Sequence, residues 1–184
     1  MKIINPVSKS RSIKFSDLLR VFWDSLRIKY AMLGRFESKY PFACSISHCQ
    51  MSEKDPLRFF VVDKEGGEVT KGGVLKKGIR LSEFFGRRIL FFVFPARVII
   101  NPVIIQTSTE VISGKEACMS LDFQKPRKLT RFESVKLRYW TIWGKQEKWF
   151  HLNRARIIQH ELGHFDGISI EDVYKHRIEK ANML

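Results

Sequence analysis

Two histidines four positions apart with a glutamate between them, His160-Glu161-Leu162-Gly163-His164, limit the folds open to this chain more than any other feature. Residues i and i+4 meet on one face only in an α-helix. The spacing therefore calls for a helix, and two imidazoles beside a carboxylate call for that face to look into a shared site. The flanking residues agree. Asn153 is a candidate N-cap, Ala155, Ile158 and Leu162 recur at helical spacing, and Gly167 supplies a stop.

The remaining chain has to build a scaffold around that helix. Ser16 to Lys29 predicts an earlier helix, capped by Ser16, with a stripe of Leu18, Leu19, Phe22, Trp23 and Leu26 expected to face the core. Phe42 to Ser47, Leu57 to Val62, Arg88 to Phe94, Val98 to Ile105 and Ala117 to Leu121 read as strands, with Asn101-Pro102 interrupting the fourth. Glu133 to Ile142 and Glu147 to Leu152 are rich in strand formers on either side of a Gly144-Lys145 turn, which predicts a hairpin. Glu171 to Lys180 closes the chain as an amphipathic helix. Strands without regular strand–helix alternation predict an α+β fold, with antiparallel or mixed sheets packed around a central HExxH-bearing helix. The 184 residues suit a single domain. Within it, 63–87 is rich in glycine and basic residues and reads as an enlarged loop.

Charge narrows the partners. The net charge is +14, from 33 Lys and Arg against 19 Asp and Glu, and the stretch from His151 onward is balanced. Such an excess favours a polyanionic neighbour, such as a ribosome, although a basic solvated surface with no dedicated partner reads equally well. No zinc-finger spacing or aromatic RNA-binding signature predicts recognition of a specific nucleic-acid sequence. No apolar run approaches the ~20 residues that cross a bilayer, so no membrane is expected. Met1 to Phe22 lacks the pattern of a secretory signal. Three cysteines with no close pair argue against a disulfide framework. The expected location is the cytoplasm, with an organellar matrix as the alternative.

On a helix, His160 and His164 can ligate one metal ion while Glu161 exchanges protons with water bound to it. A structural histidine pair is the bland reading of the same five residues. A catalytic metal also wants a third protein ligand. Cys118, in Glu116-Ala117-Cys118-Met119-Ser120, is the leading candidate, though a lone buried cysteine is more often a small apolar side chain. Cys44, Cys49 and His48 compete for the place, as does Glu171 downstream of the helix.

Three segments, in order, resemble the signature motifs of peptide deformylases. Ala43-Cys44-Ser45-Ile46-Ser47-His48-Cys49-Gln50 resembles the first, which runs Gly, apolar, Gly, apolar, Ala, Ala, any, Gln. Glu116-Ala117-Cys118-Met119-Ser120 resembles Glu-Gly-Cys-Leu-Ser, and Gln159 to Gly167 resembles Gln-His-Glu-x-Asp-His-Leu-x-Gly. The resemblance runs from about Phe42 to the C-terminus and leaves residues 1–40 poorly matched. It implies a hydrolase that removes the formyl group from N-formylmethionine of nascent polypeptides. Cys118, His160 and His164 would be the metal ligands, for ferrous iron in the family, with zinc or nickel also accepted. Glu161 would be the general acid/base, and Gln50 with the backbone N–H of Met119 the oxyanion donors. Ser45, Ile46, His48 and Ile157 would contact substrate, with Phe123 and Phe165 as further apolar candidates. The departures are specific. Ala43 and Ser45 replace glycines, His48 replaces alanine, and Gly163 replaces an aspartate that could support the ligands from outside. A basic residue that orders the site after the second motif would be Lys125, Arg127 or Arg131. Three other readings remain open: a deformylase-like enzyme with another N-acyl or peptide substrate, an inert metal-binding module associated with ribosome or RNA, and a generic HExxH protease with Glu171 or another downstream ligand in place of Cys118.

Overall fold

Alternation along two short strands explains how the protein is layered. In the computed structural model, which describes residues 9–33, 45–52, 54–62, 98–121, 126–141 and 143–182, strands β1 (Ser45–Ser47), β2 (Phe59–Val62) and β3 (Val98–Thr107) pair antiparallel. Successive side chains on a strand point to opposite faces. Phe59, Val61, Val98 and Ile100 therefore face one way, onto Val21 and Ile28 of helix α1 (Leu18–Leu33). Phe60 and Ile99 face the other way, onto Ala155, Ile158, Leu162 and Phe165 of helix α2 (Leu152–Phe165). Strands β6 (Ser134–Thr141) and β7 (Gly144–His151) extend the sheet in the order β1-β2-β3-β6-β7. Strands β4 (Val111–Glu116) and β5 (Arg127–Phe132) form a separate hairpin. Its buried Leu129 packs with Cys118, Leu121 and Ile170, the last on helix α3 (Ile170–Asn182). This is an α+β fold with antiparallel sheets.

Several local expectations are corrected. Ser16 does not cap the first helix. It lies in a 3-10 turn, Phe15–Asp17, whose opening is held by the Asp17 carboxylate accepting from the Lys14 N–H at 2.8 Å. Four of the five residues expected to face the core face outward instead, and Leu26 is half-buried. Leu18, Leu19, Phe22 and Trp23 are 43% to 70% exposed among the described residues. Val21, Ser25 and Ile28, which share a different face, are buried, as is Lys29. An ion pair and a hydrogen bond set the helix rotation: Arg20 reaches Asp55 at 2.8 Å, and Asp24 meets the His48 ring at 3.1 Å. Asn101-Pro102 does not break its strand. It makes an irregularity in the β3–β6 register, with Asn101 at φ +46° and its side-chain amide bonded to both the N–H and the carbonyl of Ile13. Ala117 to Leu121 is not a strand, because β4 ends at Glu116 and a 3-10 turn, Met119–Leu121, follows. Helix α2 is preceded by His151 rather than capped by Asn153. The segments 42–44, 63–87 and 88–94, named as strand or loop from sequence, lie outside the described residues.

The first described residues join this architecture. Arg11 pairs with Leu57 as an isolated bridge, and the Ser10 N–H donates to the Phe165 carbonyl at the end of α2. No described helix is long and apolar enough to cross a membrane.

Candidate metal centre

Helix α2 carries Ile157, His160, Glu161 and His164 at helical spacing on one face. Opposite stands Cys118, on the turn that follows β4. The ligand atoms of Cys118, His160 and His164 all lie within 4.8 Å of one another. The Cys118 Sγ is 3.2 Å from the His164 Nε2, which is 3.1 Å from the His160 Nε2. Donors sharing a tetrahedral ion at roughly 2.0–2.3 Å sit about 3–4 Å apart, so the donor set and its spacing fit one metal ion. The described rivals sit elsewhere. Glu171 pairs with Arg127 at 2.8 Å. Cys49 is fully buried in the core, donates to the His164 carbonyl, and has its thiol pushed up by burial. Cys44 lies outside the described residues.

The three candidate ligands are backed by a charged cluster. Glu116 Oε2 lies 3.1 Å from His160 Nδ1. That bond leaves Nε2 as the ring's outward donor atom, the usual way a second partner sets imidazole orientation. Glu116 is itself bonded by Arg131, at 3.1 and 3.0 Å, and by Arg156 at 2.9 Å. Arg156 is 7% exposed and also donates to the Gly114 carbonyl, which ties α2 to the β4–β5 hairpin. Burial would raise the Glu116 pKa, but His160 and Arg131 outweigh it and bring it down to about 2. Burial likewise opposes charge on His160, yet Cys118, Glu116 and Glu161 raise it to about 10. Burial and the adjoining His160 push His164 well down. Of the basic residues named after the second motif, Arg131 reaches Glu116, Arg127 pairs with Glu171, and Lys125 lies outside the described residues. Gly163 leaves no gap in this support: a Cβ there would point at the Ile168 carbonyl, 3.2 Å away, and the carboxylate behind the ligands comes from Glu116.

Glu161 is 2% exposed, and its two oxygens accept hydrogen bonds from the Ser45 and Ser47 hydroxyls. Gln50 brings its amide to 3.9 Å from the Cys118 Sγ, donates to Ser120 Oγ at 2.9 Å, and accepts from the Ser47 N–H at 2.9 Å. Met119 follows the cysteine in the 3-10 turn. Ile157 is half-buried. Two residues expected at the substrate have other surroundings. Ile46 lies between the two serines, so its side chain leaves the opposite face of β1 and packs with the α1 core. His48 stacks on Phe59 at 4.8 Å, accepts from the Leu57 N–H through Nδ1 and meets Asp24 through Nε2. Both its ring nitrogens serve the fold. Phe165 belongs to the core beneath α2, and Phe123 lies outside the described residues. Sequence reading missed Glu116, Arg156 and Ser47 as site residues. Their signals were present: Glu116 two before the cysteine, Arg156 one turn before His160, and Ser47 two along the strand from Ser45.

An α+β fold that sets a helical HExxH face against a cysteine-bearing turn defines a class of proteins with a single thiolate–imidazole metal site. Within that class the comparisons are specific. Residues 49–180 match the model of the polypeptide deformylase family, and the chain belongs to it. It is 43% identical to the peptide deformylase of Rickettsia prowazekii over 74 residues, which is 38% of this chain and 39% of that protein. Against the peptide deformylase of Borreliella burgdorferi it is 34% identical over 88 residues, 45% of this chain and 50% of the other. These matches span half or less of the curated relatives. The fold is similar to that of the Plasmodium falciparum peptide deformylase, with a TM-score of 0.65 at 20% identity over 98% of this chain and 90% of that one. It is also similar to an Acinetobacter baumannii class I type b peptide deformylase bound to Met-Ala-Ser, with a TM-score of 0.63 at 22% identity, covering 94% and 99%.

Proposed function

We propose that this chain is a metal-dependent amide hydrolase that removes the formyl group from N-formylmethionine of new polypeptides. The observation that carries this reading is the convergence of Cys118, His160 and His164 with the Glu161 carboxylate on the same helical face. The family supplies the reaction class. The three side chains would hold one divalent cation, ferrous iron as in the family, with zinc or nickel as substitutes. A cation there supplies Lewis acidity and eases deprotonation of water.

This chain's own groups carry the proton and the charge. Glu161 takes the proton of the attacking water and returns it to the amine as the carbon–nitrogen bond breaks, leaving formate and a free α-amino group. The Gln50 amide and the Met119 N–H donate to the formyl oxygen as its charge builds, each such donor being worth about 2.7–4 kcal/mol. Ile157, beside His160, offers apolar surface to the methionine side chain. All 184 residues serve as one domain, and the +14 charge helps it approach the ribosome in the cytoplasm, where formylated chains emerge. Ribosome association undetectable even at low salt would remove that last element.

The test is hydrolysis of formyl-Met-Ala-Ser by protein purified without oxygen, with metal content measured in parallel and Glu161→Ala as control. Turnover that disappears in the variant while metal stays bound supports the reading. A fully metal-loaded wild type with no turnover overturns it.

A further inference from the structure

We propose that Ser45 and Ser47 are positioning residues that fix the Glu161 carboxylate against the Gln50 amide. The inference rests on the hydrolase reading above. Ser45 and Ser47 are alternate residues of β1, so both hydroxyls leave the same face, toward α2. One donates to Oε1 and the other to Oε2 of Glu161. A buried carboxylate is costly unless donors satisfy it, and a hydroxyl on each oxygen does more than satisfy. It fixes the plane of the group, since rotation of the carboxylate would break both bonds together. Each oxygen keeps lone-pair capacity for a water proton.

The strand carrying the two hydroxyls is itself held. Ile46 anchors it in the α1 core, and Ser45 and Ser47 pair with Val62 and Phe60 of β2. Ser47 has a second task. Its N–H donates to Gln50 Oε1 at 2.9 Å while its Oγ donates to Glu161, so one residue sets the proton carrier and the oxyanion donor relative to each other. The N–H link would survive with any side chain there except proline, whereas the link to Glu161 requires the hydroxyl.

The test is steady-state hydrolysis of formyl-Met-Ala-Ser by the metal-loaded full chain, comparing wild type, Ser45→Ala, Ser47→Ala, the double alanine variant and Ser45→Thr. The expected result for the double variant is a kcat lower by about 10–100-fold, the usual scale for losing groups that orient a site. KM should stay within about two-fold and metal content unchanged, because both hydroxyls are engaged with Glu161 rather than with substrate or ion, which corrects the substrate contact expected of Ser45. Ser45→Thr, which keeps a hydroxyl at that position, should hold kcat near wild type. If the double variant fails to fold, Ser47→Ala alone carries the test. Wild-type kcat in the alanine variants overturns this inference and leaves the hydrolase reading standing. A metal-loaded wild type with no turnover overturns both.

Discussion

Replacing Glu116 by glutamine is the sharpest test of the charged cluster behind the ligands. The substitution keeps the shape of the side chain and removes its charge. Arg156, 7% exposed, and Arg131 would then face an amide where they now face a carboxylate. Unbalancing a buried ion pair costs about 3–5 kcal/mol. The titration of Glu116 leads to a similar size. Its pKa falls from 4.5 to about 2, because His160 and Arg131 outweigh the opposing effect of burial. At 1.36 kcal/mol per pH unit that is about 3 kcal/mol. The sign follows from the direction. A carboxyl more acidic in the folded state adds stability that is fully present above pH 4.5 and is lost as pH falls toward 2. Urea unfolding of metal-stripped protein at pH 7 should therefore place the variant about 3 kcal/mol below wild type, with the gap closing as pH drops through that window. For a chain of this length the melting temperature should fall by roughly 6–12 °C. Exchanging the charged partner of His160 Nδ1 for a neutral one should also weaken metal binding by about 10–100-fold. Equal stability at pH 7, or a gap independent of pH down to 2, would refute the reasoning.

Other outcomes follow from the same geometry. Cys118→Ser should lower bound metal per chain after dialysis, measured by elemental analysis, because serine offers no comparable thiolate; retained stoichiometry would remove Cys118 from the ligand set. His48 is held neutral chiefly by burial, against the pull of Asp24. A histidine with a lowered folded pKa gives stability that is present above about pH 6.5 and declines as pH falls below it, so His48→Gln should flatten the decline just below pH 6.5. Cys49, buried and with its thiol pushed up, should escape alkylation in the folded protein at pH 8. Mapping by mass spectrometry that found Cys49 labelled without unfolding would contradict its core placement.

Some of this was legible in one dimension. The i, i+4 histidines, the glycine after them and the β-rich hairpin before them each carry local physics, and helix α2, its end near Gly167 and the β6–β7 pair all appear. The β4–β5 hairpin was not legible. Its Arg127–Phe132 strand is mostly polar, and Leu129 is its only fully buried side chain, too little to make a period visible. The rotation of α1 was misjudged for a related reason. Periodicity finds an apolar stripe without saying what it meets, and pairs to Asp55 and His48 decide which face turns inward.

The sequence by itself determined the donor set: two imidazoles and a carboxylate on one helical face, with a cysteine in a motif of the right order. Helical spacing alone makes those side chains neighbours. The motif resemblance named Cys118, and only the tertiary structure brought its thiol beside the two imidazoles, because a separation of 46 positions has no period to read. It also decided that Glu116 and Arg156 stand behind the ligands, that Ser45 and Ser47 meet Glu161, and that Ile46 and His48 turn away. Those choices depend on strand register and on which face of each strand the helices cover, and register is set by packing across the whole sheet rather than by neighbours in the chain.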